Sequence, residues 1–273
     1  RSDERLSLIR HIASILAAVP SMEGIRLRVE RAGEHLASLD LEVSRLLDEL
    51  NRDGIVRHRD PRNRQHVWQV AADPALTLRA SLLAGDFVHN LRSSLDHIVW
   101  ELTDENARSS RPLPEFPIFE KAGPGGDGFH EAGIIKIWSL PIDAKVLIER
   151  LQPYQGGNVA LLDIQRLDNI DKHRRLIALP YLINKLTIAA VPGSKPFKID
   201  NFRAQTGRFK NGDVVASCDA RNPDTLVEQV DLKFMFQIAL EEKGVSGSII
   251  EKLTPLYEFV RDKVLPAFAP FFS

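Results

Sequence analysis

The sequence predicts an α+β protein, mainly α: a helical bundle with a small antiparallel β-sheet and a C-terminal helix. Three observations predict it. Apolar residues recur at steps of three and four from Ile25 to Leu50 and again from Phe87 to Leu102; the period changes to two from about residue 185; and helical spacing returns between Ile249 and Val264. The chain divides accordingly into a helical region, 1–184, with a β-hairpin inserted at about 55–71, and a region 185–273 of sheet and helix packed on the first.

Composition narrows the classes of function. A chain of 273 residues, 44% hydrophobic and 27% charged, builds an ordinary globular core. Its formal charge of −1 gives no bulk electrostatic footprint for nucleic acid, so contact with RNA has to come from a local basic patch. The single Cys218 excludes an intrachain disulfide framework and reads as a small packed residue at a strand end. No apolar run approaches the roughly 18 residues of a membrane span, and no signal-peptide pattern is present, so the expectation is a cytoplasmic protein without a membrane partner.

In chain order, residues 4–19 present Ile9, Ile12, Leu16 and Val19 on one face of a short helix stopped by Pro20, and Ser21 can cap the next helix. That second helix repeats Ile25, Val29, Ala32, Leu36, Leu39, Val43, Leu46 and Leu50 as a heptad seam, which predicts an antiparallel helix pair inside a domain. After Gly54, Ile55-Val56 and Val67–Val70 flank a segment with Arg57, Arg59, Arg62 and Arg64, a hairpin with a basic tip that is either a phosphate contact or a solvated turn. His58 and His66 lack a further nearby ligand for zinc. A long helix starts at Pro74 and runs to about Asn106. The proline- and glycine-rich connection from Pro112 to Gly133 reads as a flexible linker or lid, since no Gly-Lys-Ser/Thr makes it a phosphate loop.

Helices follow at about 142–151 and 159–178. The second is apolar most of the way round through Leu161, Leu162, Ile164, Leu167, Ile170, Leu176 and Ile177, yet carries Asp168, Asn169, Asp171, Lys172, His173, Arg174 and Arg175. Charges on such a helix need partners, supplied by the polar face of the long helix or by another chain. Strands are expected at 185–191, 197–202, 213–217 and 230–238, with Asn211-Gly212 as a hairpin turn. The final helix, about 246–265, has a possible break at Pro255.

The densest chemistry lies in His89-Asn90-Leu91-Arg92-Ser93-Ser94-Leu95-Asp96-His97. At 100° per residue from His89, Arg92, Ser93, Asp96 and His97 fall between roughly −60° and +80°, opposite Phe87, Leu91, Leu95, Ile98 and Leu102. Trp100 sits among the charges, which predicts that this face is covered by another helix or subunit.

The Arg92-x-x-x-x-His97 spacing on a helix, followed by Trp100, resembles the signature of the HEPN superfamily. The likeness implies a small helical, commonly dimeric, metal-independent RNase of a toxin–antitoxin or phage-defence type. It implies RNA, a homodimer and an antitoxin or defence-system protein as partners, and no cofactor. In such a site His97 transfers protons, Arg92 holds the scissile phosphate through its planar fork, and Asp96 orients an imidazole. His89, Ser93, Asn169, Asp171, Lys172, His173 and Arg174 are the accompanying binding candidates. Arg92 and His97 are about 140° apart on the helix, so a composite cleft requires two subunits. Two further readings compete: a non-catalytic module that dimerises or binds an anionic ligand through Arg92, His97, Lys172 and Arg174, and a metal-dependent hydrolase through Asp96, His97, Asp168, Asp171 and His173. Arg92, Asp96 and His89 at spacings of three and four also make an ordinary intrahelical network.

Overall fold

The computed structural model describes residues 20–60, 62, 64–71, 77–124, 128, 130–156, 158–174, 181–190, 200–219, 230–239 and 248–272. The helix expected at 4–19 lies outside them, as do 197–199 of an expected strand.

The architecture is α+β and mainly helical. The elements run α1 (Glu23–Asp53), β1 (Ile55–Asp60), β2 (Gln65–Val70), α2 (Leu78–Leu102), α3 (Glu131–Lys136), α4 (Ile142–Arg150), α5 (Val159–Arg174), then β3 (Tyr181–Ala190), β4 (Arg203–Ala204), β5 (Gly207–Phe209), β6 (Val214–Asp219), β7 (Val230–Ile238) and α6 (Ile249–Phe259). They pack as two compact units, neither of them one continuous stretch. The first comprises 1–36, 85–175 and 253–273, the second 37–84 and 176–252.

In the first unit, Ile25, Val29 and Ala32 of α1, Phe87, Leu91, Leu95 and Ile98 of α2, and Leu161 and Ile164 of α5 are buried, as their helical spacing requires. Each of the Val, Leu, Ile and Phe side chains among them stabilises the fold by about 1.5–3 kcal/mol. α1 and α2 run antiparallel: Arg28 meets Ser93 while Ser21 meets Glu101. α6 passes through Pro255 without breaking. A proline there removes one backbone hydrogen bond. The irregularity comes later, as a π turn over Val260–Val264 ahead of Pro266 in a final helical turn, Leu265–Phe268.

The Pro112–Gly133 connection is not a loose linker along its whole length. Phe116, Pro117 and Ile118 are buried, and the fully buried Gln152 pins them: its Oε1 accepts from the Phe119 N–H at 2.9 Å while its Nε2 donates to the Pro117 carbonyl at 2.7 Å. An extended chain lacks internal partners for its peptide groups, so a buried one must borrow them from side chains. Here Gln152 lends both kinds.

In the second unit, Leu39, Val43, Leu46 and Leu50 continue the buried seam of α1, and Glu42 of α1 faces Arg79 of α2 at 3.8 Å. The strands form two sheets rather than one: a four-stranded sheet in the order β1-β2-β6-β4 and a three-stranded sheet in the order β5-β3-β7, with every pairing antiparallel. The hairpin is therefore part of a larger sheet, with Trp68 opposite Ala216 and His66 opposite buried Cys218. Asn211-Gly212 is a tight turn, with Gly212 at φ 89°, but the strands it joins belong to different sheets. Gly212 N–H and Asp213 C=O bond instead to Val70 of β2. Residues 200–201 form a bend, and the short β4 follows at Arg203.

Candidate functional site

Arg92 is the centre of a buried ion network in the first unit. Only 5% of it is exposed. Its Nη2 donates to Glu115 Oε1 and to the Phe116 carbonyl, both at 2.9 Å, and lies 2.9 Å from Asp96 Oδ1 one helical turn on. Asp96 in turn accepts from the Phe116 N–H at 3.0 Å, and Lys136 of α3 reaches Glu115 Oε2 at 3.0 Å. The other terminal nitrogen of Arg92, Nη1, is enclosed and has no hydrogen-bond partner among the described residues. The i, i+4 pair on α2 thus clasps both peptide groups of Phe116, and the segment that follows Pro112 is its ligand.

Burial pushes the Asp96 carboxyl up from 3.8 to about 6, against the opposing pull of the Arg92 charge and the Phe116 N–H. A carboxyl whose pKa rises on folding is protonated more readily in the folded chain than in the unfolded one. Its contribution to stability is therefore full below 3.8 and is lost as pH rises to about 6. Asp96→Asn, neutral at every pH and still offering an oxygen to Phe116, is expected to flatten the dependence of Tm on pH across that window. Thermal denaturation at a series of pH values checks this; an unchanged slope would assign the titration to another group.

His97 is half-buried and faces a different neighbourhood. Its Nδ1 lies 3.2 Å from the Ser93 carbonyl, which can only accept, so Nδ1 carries the proton and Nε2 is the basic nitrogen of the neutral ring. Burial, and next the charge of Arg28, hold its pKa below the ordinary histidine value, while the Ser93 bond and Glu101 act the other way. Arg28 of α1 donates from Nε to Ser93 Oγ at 3.2 Å and from Nη1 to the Gly24 carbonyl at 2.8 Å. The arginine associated with His97 is therefore Arg28, and Arg92 is engaged elsewhere. Trp100, expected to be covered, is 37% exposed, with the Arg108 guanidinium 5.4 Å over its ring.

The charged end of α5 does meet the polar face of α2, through His89. His89 Nδ1 lies 3.3 Å from Asp168 Oδ1, and the same buried carboxylate holds Lys172 Nζ at 2.6 Å. Asp171 packs against Gly85, where an added Cβ would come 2.4 Å from its Oδ1. Burial, then the charges of Asp168 and Asp86, raise the Asp171 pKa. Asn169 is exposed. The side chains of His173 and Arg174 lie outside the described residues. No three His, Cys, Asp or Glu side chains gather into a metal-ligating group among the described residues, so Asp96, His97, Asp168 and Asp171 do not converge.

Pattern alone missed Arg28, Glu115 and Gln152. Arg28 flanks the heptad seam, where a charged residue is unremarkable. Glu115 and Gln152 sit in or beside irregular segments whose partners no period reveals. In the second unit, Arg57, Arg59, Arg62 and Arg64 of the hairpin are all exposed, and the turn is fixed by the Arg62 N–H to Asp60 Oδ1 at 2.9 Å. No helix among the described residues is long and apolar enough to cross a membrane. The chain matches no protein-family model, no curated protein and no solved structure.

Proposed function

We propose that this chain is a non-catalytic module that binds an anionic ligand through its second unit, with the Arg92 cluster serving as architecture in the first. The observation that carries this reading is the contrast between arginines. Arg92, which would have to grip a scissile phosphate, is enclosed and bonded to a carboxylate and a carbonyl, whereas the four hairpin arginines are exposed on one short ribbon. Closely spaced guanidinium groups, Arg57 and Arg59 on a strand and Arg62 and Arg64 in the turn beside it, attract phosphates and sulfates.

A second reading, a metal-independent RNase, draws on His97: the Ser93 carbonyl fixes its tautomer, burial and then the Arg28 charge lower its pKa, and Arg28 takes the place of Arg92 as the phosphate-holding cation. One experiment weighs both. Purified protein is incubated with single-stranded RNA in EDTA and, separately, titrated with heparin as a polyanion probe. The binding reading expects intact RNA, and heparin affinity that falls on the order of tenfold or more in Arg59→Glu/Arg62→Glu/Arg64→Glu. RNA cleavage that disappears in both His97→Ala and Arg28→Ala, with Tm retained, would replace it with the RNase reading.

A further inference from the structure

Within the second unit, β1 stands at one end of the four-stranded sheet, so its outer side is a sheet edge among the described residues. The phase of the β1–β2 ladder decides what that edge offers. Ala71 N–H donates to the Gly54 carbonyl, whereas Val70, directly opposite Ile55, donates to the Asp213 carbonyl and accepts from the Gly212 N–H on its far side. Bonded and non-bonded pairs alternate along an antiparallel ladder, so Val56, His58 and Asp60 bond inward to β2. The peptide groups of Ile55 and Arg59, and of Arg57 between them, point away from β2. Space lies beside the strand, where Ile55 and Arg57 line a groove of about 590 Å³ that Trp68 and Lys233 also border. Val56 is 46% exposed, and His58 and Arg59 are exposed with it. Arginines stand where this edge ends: Arg59, Arg62 and Arg64 are exposed and make no side-chain hydrogen bond or ion pair among the described residues. The acid beside them, Asp60, turns its Oδ1 to the Arg62 N–H at 2.9 Å.

We propose that the β1 edge binds an extended acidic segment of another protein, which adds an antiparallel strand to the sheet and sets its carboxylates against Arg59, Arg62 and Arg64; the inference rests on the anion-binding reading above and names its ligand. An extended peptide carries both N–H and C=O groups at the repeat of the strand it joins, whereas a phosphodiester backbone offers its phosphates as acceptors alone and leaves the outward carbonyls unmet. A second β1 brings the same arginines. Like charges directly across a ladder oppose pairing, so the edge rejects another copy of this chain. A neutral peptide leaves the guanidinium groups without counter-charge, while a side chain directly across from Arg59 has its Cβ about 5 Å away, within reach of an ion pair.

The test uses the full chain and a dye-labelled, capped peptide of about eight residues alternating Glu and Thr, read by fluorescence anisotropy. The peptide is expected to bind one to one, and about tenfold or more weakly in Arg59→Glu/Arg62→Glu/Arg64→Glu. A residue directly across from Arg59 in an added antiparallel strand turns its own peptide groups toward β1, so the Glu amides make the main-chain bonds and the Thr amides face away. N-methylation of the Glu amides is therefore expected to weaken binding by about tenfold or more, and N-methylation of the Thr amides to leave it intact, at identical charge. Hydrogen exchange at the Ile55 and Arg59 amides should slow in the complex. Equal affinity of the two methylated peptides, or unchanged affinity in the triple charge reversal, overturns the proposal. So does failure of the peptide while heparin or a single-stranded oligonucleotide binds through Arg59, Arg62 and Arg64, an outcome that leaves the anion-binding reading standing. Failure of peptide and heparin alike overturns both.

Discussion

Arg92→Ala is expected to lower the unfolding free energy by about 3 kcal/mol, a large share of the stability of an ordinary domain. The substitution removes the cation that Asp96, Glu115 and the Phe116 carbonyl share: Asp96 keeps the Phe116 N–H and Glu115 keeps Lys136, but the buried carbonyl loses the guanidinium that donates to it. Asp96 and Glu115 retain partial exposure, which keeps the cost at the lower end of what a severed buried ion pair shows. Arg92→Lys is expected to recover little, because an ammonium cannot span the carboxylate and the carbonyl as a planar guanidinium does. The Asp96→Ala and Arg92→Ala costs should add to more than the cost of the double variant, since both break one network. Urea denaturation of the parent and the four variants measures this. A loss below about 0.5 kcal/mol for Arg92→Ala would place Arg92 among ordinary surface residues and reopen it as a phosphate ligand.

Phe116→Ala is expected to cost about 3–5 kcal/mol, the usual toll for an aromatic ring removed from a closed core. Phe116 is fully buried and meets Phe268 edge to face, with ring centroids 6.4 Å apart and planes at 72°. Its backbone is held at both ends, the N–H by Asp96 and the carbonyl by Arg92, so the surrounding structure has little freedom to collapse into the space left behind. Phe268→Ala removes the other half of the pair, and a double-variant cycle should show coupling between the two rings of about 0.5–1.5 kcal/mol. Limited proteolysis gives a second readout, since a loosened segment 112–119 becomes a cleavage site. Unaltered stability and unaltered protease resistance in Phe116→Ala would contradict the assignment of this segment to the core.

Both variants concern a stretch that reads as linker in the sequence, and the reason is instructive. Pro112, Pro114 and Pro117 mark the segment as irregular, and irregular chain is usually exposed. Its burial depends on side chains distant in sequence: Asp96 and Arg92 from one direction, Gln152 from the other. Nothing in the local composition of residues 112–119 announces those partners.

The same division runs through the rest of the molecule. The sequence by itself determined the α+β class, the long amphipathic helices, the hairpin at 55–70 and the tight turn at Gly212, because each is written in a local period or in a backbone preference of a few residues. It also indicated that charges on α5 would need partners, on the polar face of α2 or on another chain, and the His89–Asp168 contact supplies one on α2. Tertiary structure decided which arginine stands beside which histidine. Arg92 turns toward Phe116, 24 residues on, and Arg28 arrives beside Ser93 and His97 from 65 residues before Ser93. It likewise decided that β5 and β6, joined by a turn that looks like a hairpin, enter different sheets, and that Arg57 and Trp68 share one groove with Lys233. Periodicity fixes which face of an element is apolar, but the partner of a polar side chain is set by which elements the packed core brings alongside it, and that choice is made by burial summed over the whole chain.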